Sequence, residues 1–467
     1  MDMDMKKNSL KEKLGIECII SAEMIEAIRK WKKAYENKSD WLNNQVESLE
    51  LPSSIASEIA RIVTVENEIN ISGSAKAELI SGYLDHFRMN EKNIVEIACA
   101  TGGMYFKPKF SNGKIVIDYV YQDEAIPFRF FEGGMITGVI FPSYLIKNKR
   151  RYTLLEVHDF SNEIYRIENY CFVSKEIKIT DVFNMELGDE IPLSSVDEWK
   201  DIEPVVNIEG AERPFYSYFR IPLANNIDRK SPLGMSVYSR ALNDIKGADI
   251  QMARLDWEFE SKEAAIDVDE SYFKTDAYGH TVMPKGKERL YRQYQGEEFS
   301  GKEKLFREYS PDIREQAFIN GLNKRKQEIE FKCGLAYGSI SDPNLVDKTA
   351  EEIKSSKQRS YQLVNDIQCS LEKAICNLIV SMEEMMSGYG VIADNGPVDV
   401  SFSWDDSIVV DSKAEKQQDV QDVNLGVMSK WEYRMKWYGE SEEVAKQRIA
   451  EMNSTRPGLN DIFDGEE

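Results

Sequence analysis

The sequence predicts an α+β protein that is predominantly helical, and three observations predict it. Apolar residues recur at helical spacing through most of the chain, one interior stretch from Gly103 to about Lys178 switches to a period of two, and one helical pattern runs from Thr349 to about Ser387. With 467 residues and 42% hydrophobic side chains, the chain exceeds one ordinary core and can fill two or three subdomains.

The elements follow in order. Residues 16 to about 100 read mainly as helices. Ser21 suits an N-cap for a helix with Met24, Ile25, Ile28 and Trp31 on one stripe. Ile55, Ile59, Ile62 and Val63 mark a second helix, and a third is expected near Ala75 to Met89. From Gly103, GGMYFKPKF, KIVIDYVY and RYTLLEVHDF alternate β-branched or aromatic residues with turn residues. That pattern predicts an antiparallel sheet with a hairpin at Ser111-Asn112-Gly113, followed by irregular sequence to about Pro232.

Ser231 as N-cap and Pro232 at the first helical position predict a helix continuing through Val237, Leu242, Ile245, Ile250, Leu255 and Trp257 to about Lys262. A stretch with short β-like pieces leads to a second helix from Pro311 to about Cys333, which carries the basic band NKRKQ at 323 to 327. Between that helix and the next lies GSISDPNLVDKTAEEI. Pro343 biases Asp342 away from helix, and Ser341, Asp342, Asn344 and Asp347 favour turns, so the two helices cannot fuse into one rod. Thr349 and Glu352 then form a capping box, and Ile353, Val364, Ile367, Leu371, Ile375, Leu378, Met382 and Met386 keep helical spacing. VDVSFSW is strand-like. Beyond it, Ser429 with Glu432, Gly439 and Ser441 punctuate two or three short C-terminal helices.

Composition narrows function. The 81 acidic against 59 basic residues give a net charge of −22, which disfavours nonspecific, phosphate-driven binding to nucleic acid. No apolar run approaches the roughly 20 residues that cross a bilayer, and MDMDMKKNSLKEK has no apolar signal core, so no membrane contact and a cytosolic setting are expected. The six cysteines form no CxxC pair, so they are expected to be reduced.

Motifs for chemistry are absent. His86, His158 and His280 lie at no metal-ligand spacing. DVDES at 267 to 271 begins like a calcium loop, but Tyr272 and Tyr278 stand where Gly and Glu are needed, so it reads as a solvated turn. Asp405 and Asp406 have nothing basic or nucleophilic beside them in sequence. TGGMYF and EGGMITG lack the residues of a phosphate loop or a dinucleotide fingerprint. No catalytic residue, cofactor or metal is expected, and the sequence does not read as an enzyme.

Three stretches carry a resemblance: FRIPLANNIDRKSPLGMSVYSRALNDIKGADIQMARLDWEFE at 219 to 260, GLAYGSISDPNLVDKTAEEIKSSKQRSYQLV at 334 to 364, and SFSWDDSIVVDSKAEKQQDVQDVNLGVMSKWEYRMKWYGESEEVAKQRI at 401 to 449. In these, and in the order of its elements, the chain resembles portal proteins of tailed bacteriophages and prophages, particularly siphophages of Gram-positive hosts. The resemblance implies a dodecameric ring at one capsid vertex, assembled in the host cytoplasm. Such a ring would conduct double-stranded DNA during packaging and ejection. It would also dock terminase, major capsid or scaffolding protein, and a head-completion or adaptor protein. It further implies a wing at 1–230, stem helices at 231–262 and 311–333, a clip at 263–310, a tunnel loop at 334–348, a long wing helix at 349–387 and a crown at 388–467. Ser341, Asp342, Asn344, Leu345, Val346, Asp347 and Lys348 would then face the DNA channel, with Lys324, Arg325 and Lys326 as stem phosphate contacts. An oligomeric scaffold or adaptor outside any virion is the alternative.

Overall fold

The computed structural model describes residues 9–65, 67–111, 113–131, 134–161, 164–178, 182–269, 274–275, 278, 281–282, 291–294, 306–345, 349–392, 396–404 and 412–454. The chain divides into two compact units, one ending at Ser403 and one beginning at Trp404.

The first unit opens with α1 (Ser9–Leu14), α2 (Ala22–Tyr35), α3 (Leu51–Thr64), β1 (Asn67–Ser72), α4 (Ala75–Tyr83) and α5 (Asp85–Thr101). Ser21 caps α2 as expected, its side chain accepting from the Met24 N–H. Met24, Ile28, Trp31, Ile55, Ile59 and Val63 are buried, while Ile25 and Ile62 are only partly so. The third helix differs from expectation: it breaks at Leu84 into α4 and α5, and α5 runs on to Thr101. Gly102 ends α5 at φ 106°, and a methyl group there would collide with the Gly234 carbonyl, so both conformation and space require glycine.

The β region forms two antiparallel sheets rather than one. Its strands are β2 (Gly103–Ser111), β3 (Lys114–Tyr121), β4 (Ile126–Phe130), β5 (Ile136–Lys147), β6 (Arg150–Ser161), β7 (Ile164–Ser174), β8 (Asp189–Ile191), β9 (Val205–Glu209) and β10 (Ser217–Arg220). One sheet has the order β10-β2-β3; the other runs β4-β5-β6-β7-β8, with β9 also paired to β7. The hairpin between β2 and β3 closes at the Ser111–Lys114 pair with Gly113 at φ 76°, as the turn residues predict; Asn112 lies outside the described residues. The expected irregular stretch before Pro232 thus holds three short strands, whose 3 to 5 residues are too few to show a period.

Aromatic residues fill the core beneath these strands. Tyr105 meets Phe141 edge to face at 5.7 Å between ring centroids, and Tyr165, Tyr216 and Phe219 are buried with them. His158 sits in this core. Its Nδ1 shares a hydrogen bond with the Tyr165 hydroxyl, and its Nε2 lies 2.6 Å from Glu156, which also receives Lys107 Nζ at 2.8 Å. Burial lowers the His158 pKa despite the neighbouring carboxylate. Burial alone would raise the pKa of Glu156, but Lys107 and His158 hold it below the usual carboxylate range. The histidine is a satisfied core residue. All six cysteines are free thiols.

Next come α6 (Leu242–Ser261), β11 (Ala265–Asp269), β12 (Lys274–Thr275), β13 (Thr281–Val282), β14 (Tyr291–Tyr294), β15 (Phe306–Tyr309), α7 (Glu315–Cys333), α8 (Ala350–Gly388) and β16 (Asp399–Trp404), which pairs with β1. The helix expected from Ser231 does not start there. Residues 231–241 form a largely buried connection whose backbone donors serve tertiary partners: Gly234 N–H donates to the Tyr218 hydroxyl and Val237 N–H to the Cys99 carbonyl. Ser231 instead turns its hydroxyl to the Leu233 N–H. α7 likewise starts at Glu315 and not at Pro311, because Asp312 gives its carbonyl to Lys262 and Arg314 turns back onto Glu258. DVDES is not a turn over its described part: Asp267 to Asp269 lie in β11, with Asp267 in register with Arg292 and Arg307. His280, Asp405 and Asp406 lie outside the described residues.

From Val364 onward α8 fulfils its periodicity, while the side chain of Ile353 lies outside those described. Val364, Ile367, Leu371, Ile375, Leu378, Met382 and Met386 are all buried, each contributing roughly 1.5–3 kcal/mol by leaving water. Hydroxyls fix its register against β10 and the residues leading into it: Ser217 donates to the Ala374 carbonyl at 2.8 Å, Ser370 to the Arg220 carbonyl at 2.5 Å and Ser381 to the Pro214 carbonyl at 3.1 Å.

The second unit contains α9 (Ser412–Leu425), α10 (Lys430–Tyr438) and α11 (Glu442–Ser454). The capping box at Ser429 and Glu432 forms, and Gly439 ends α10 at φ 63°. Polar contacts hold the helices together. Trp437 Nε1 donates to Asp419 at 2.8 Å, Arg434 grips Glu440 with two bonds of 2.8 Å, and Lys446 lies 4.8 Å over the Trp431 ring.

One buried carboxyl sets a pH dependence. Burial pushes Glu91 of α5 up to about 7, partly opposed by the Asn67 amide and Arg88. The folded state therefore holds a proton that the unfolded chain releases near 4.5, and stability is lost as pH rises from 4.5 through 7. The full difference is on the order of 3 kcal/mol at 1.36 kcal/mol per unit. Denaturation of Glu91→Gln should lack the fall in stability that the parent shows between about pH 4.5 and 7; a parallel fall would assign it to another group.

Candidate functional site

The basic helix, the turn-rich segment and the capped long helix are brought together at one place. α7 carries Asn323, Gln327 and Glu330 at i, i+4 and i+7, and all three are buried. Gly334 ends α7 at φ 75°, and Leu363 of α8 occupies the space a side chain would need there. The chain then folds back over the polar face of α7.

Glu330 is the centre of that contact. It is fully buried, and Oε1 accepts from three backbone N–H groups: Gly338 at 3.1 Å, Ile340 at 2.7 Å and Ser341 at 2.8 Å. The Ser341 hydroxyl donates to Oε2 at 2.9 Å. About two turns earlier on the helix, Asn323 Oδ1 accepts the Asp342 N–H at 2.7 Å. A carboxylate without water is costly unless its lone pairs are filled, and here converging backbone donors fill them.

The loop leaves this anchor through a turn. Asp342 accepts from the Asn344 N–H at 2.9 Å and its side-chain amide at 3.2 Å, and Pro343–Leu345 form one 3-10 turn. Thr349 restarts the helix with the capping box expected of it. Its hydroxyl accepts the Glu352 N–H at 3.2 Å, and Glu352 accepts the Thr349 N–H at 2.9 Å. The other side of the loop rests on α8. Tyr337 N–H donates to the Ser356 hydroxyl at 3.3 Å, and the Arg359 guanidinium lies 4.5 Å over Phe331 and 5.7 Å over Tyr337.

α6 and α7 form a pair clamped at both ends. Near the open end Arg314 holds Glu258 through 3.0 and 2.8 Å bonds, joined by Lys262 at 2.7 Å; this keeps Glu258 well below the usual carboxylate range. At the other end Lys332 pairs with Asp244. Between them Arg325 lies across Gly247, where a methyl group would strike its guanidinium.

The expected site residues are not equivalent. Ser341 is buried, whereas Asp342 and Asn344 are exposed, and Leu345 closes the turn. Val346, Asp347 and Lys348 lie outside the described residues. Of the three stem cations, Lys324 is exposed and reaches Glu328 at 3.5 Å, Arg325 packs on α6, and Lys326 is half-buried. Glu330 and Asn323 were not expected from sequence; the available signal was a polar i, i+4, i+7 set inside an otherwise charged helix, which solvent-facing residues also produce. Among the described residues no group of three His, Cys, Asp or Glu side chains could hold a metal ion, and no helix is long and apolar enough to cross a membrane.

Residues 307–456 match the family described as phage portal protein, SPP1 Gp6-like. This match supports a phage portal protein. The matched residues span α7, the loop, α8 and the helices α9 to α11, so Glu330 lies within the matched stretch. Phage portal proteins are a structural family, and a portal is a virion component. No curated protein matches the chain.

The Thr349 box gives a local test. Thr349→Ala should cost about 1 kcal/mol and loosen the first turn of α8, as for other lost N-caps. Amide exchange should quicken at Glu352 but not at Leu371; unchanged exchange at Glu352 would mean that the loop, and not the cap, holds the turn.

Proposed function

We propose that this chain is the subunit of a dodecameric portal ring at one capsid vertex, a conduit for double-stranded DNA in packaging and ejection. The observation that carries the reading is the portal match over 307–456, which coincides with the α7–loop–α8 assembly. In this reading α6 and α7 are the stem pair, the strands between them the clip, 334–348 the tunnel loop, and α8 the long helix behind it. The helices and sheets before residue 231 serve as the wing, and residues 388–467, which include the second unit, as the crown. We take the connection at 231–241 as part of the wing and not of the stem, a reading that its burial and its lack of α-helix support.

Charge supports a conduit over a clamp. Twelve copies would carry roughly −260 charges, so phosphates would be repelled from most of the passage. Exposed Lys324 is the stem cation best placed to touch a phosphate briefly; Arg325 is occupied in packing α7 on α6. Terminase, major capsid or scaffolding protein and a head-completion or adaptor protein are the expected partners, and the chain performs no catalysis of its own.

Electron micrographs and native mass of the purified protein should show closed rings of about twelve subunits with an axial hole. Removing residues 343–345 should leave the rings intact and lower the DNA packaged or retained per particle. Open or compact oligomers without a hole would favour the scaffold or adaptor reading, and full packaging by the shortened chain would remove the loop from the conduit.

A further inference from the structure

We propose that Glu330 is the positioning residue of the loop: it fixes residues 338–342 to α7, so that this half of the loop moves as an extension of that helix and not of α8. The role in DNA passage rests on the portal reading above, whereas the anchoring itself does not.

The argument begins with the number of donors. Gly338, Ile340 and Ser341 turn their N–H groups onto one carboxylate oxygen, and the Ser341 hydroxyl occupies the other. Glu330 and Ser341 are both buried, at 0% and 5% exposure, so water does not compete for these bonds. Asn323 adds an independent tie from the same face of α7, to the Asp342 N–H. Five hydrogen bonds therefore run from two α7 side chains to four consecutive or near-consecutive loop residues.

The links to α8 are of another kind. Tyr337 N–H meets Ser356 at 3.3 Å, and Arg359 stacks on Phe331 and Tyr337. These contacts fall before Gly338, at the base of the loop. Thr349 then begins α8 with a capping box that closes on itself and uses no group from 338–342. A displacement of α7 is thus passed to Ser341 through its bonds to the Glu330 carboxylate and to Asp342 through the Asn323 amide, while α8 keeps its own start. Gly338, at φ 88°, supplies the turn that brings the three N–H groups to one point.

Amide exchange and particle assembly test the two parts separately. In the full-length protein, Glu330→Ala should speed exchange at Gly338, Ile340 and Ser341 by about tenfold or more, the loss expected for bonds to a buried charge. Ser339, whose N–H bonds to Ala336, is the internal control. Glu330→Gln keeps an acceptor of the same shape and should restore most of the protection, and Ser341→Ala should give a smaller loss, keeping the test open if Glu330→Ala does not fold. With rings still formed, particles carrying Glu330→Ala should retain less double-stranded DNA, and those carrying Glu330→Gln should recover. Unchanged exchange at the three amides overturns the anchor. Faster exchange with normal DNA content overturns the positioning role. Rings that never carry DNA even with the parent chain overturn the portal reading and leave the anchor standing on its exchange data.

Discussion

A carboxylate with no access to water decides how the candidate site is built. Glu330 cannot be satisfied by its own helix, whose backbone donors are already used, so it must draw in donors from elsewhere. The segment after Gly334 supplies them by folding back with three N–H groups convergent. The loop's path is therefore the solution to a desolvation problem on α7, and its outward turn at Pro343 begins only after that problem is solved.

The same constraint explains the unequal footing of the two helices. α8 is buried along Val364 to Met386 and keyed to β10 through Ser370 and Ser217, so it belongs to the body of the first unit. α7 is buried only in its later half, where Asn323, Gln327, Ile329, Glu330 and Cys333 lie. Its early turns are exposed and rely on the Arg314–Glu258 clamp to stay with α6. An ion pair at an exposed helix end adds little stability, but a forked one fixes orientation.

Features encoded within four residues were legible in the sequence. Ser21, Thr349 with Glu352, and Ser429 with Glu432 form the caps their types and spacing announce, because a cap is satisfied locally. The period of α8 was legible for the same reason: each buried position repeats the signal of the last. Ser231-Pro232 carried an equally good local signal and failed, because Tyr218 and Cys99, distant in sequence, claim the backbone that a helix would have used. Glu330 was invisible for a related reason. A buried glutamate and a solvated one are the same letter in a charged helix, and only the folded-back loop distinguishes them.

The polar interior also bears on what a passage for DNA needs. In a ring of the proposed kind, a loop that touched a moving duplex would be pushed along the axis, and apolar packing alone would let it slide in register. A buried charge held by several directional bonds resists such sliding, because any displacement strips donors from a carboxylate that water cannot reach. The penalty rises steeply over a fraction of an ångström, which is the behaviour of a stop and not of a spring. Asp342 and Asn344, exposed just beyond that stop, then present acidic and neutral groups outward, and neither would hold a phosphate. A rigid inner half with a weakly interacting outer turn combines fixed position with low adhesion, and both properties follow from where one carboxylate is buried.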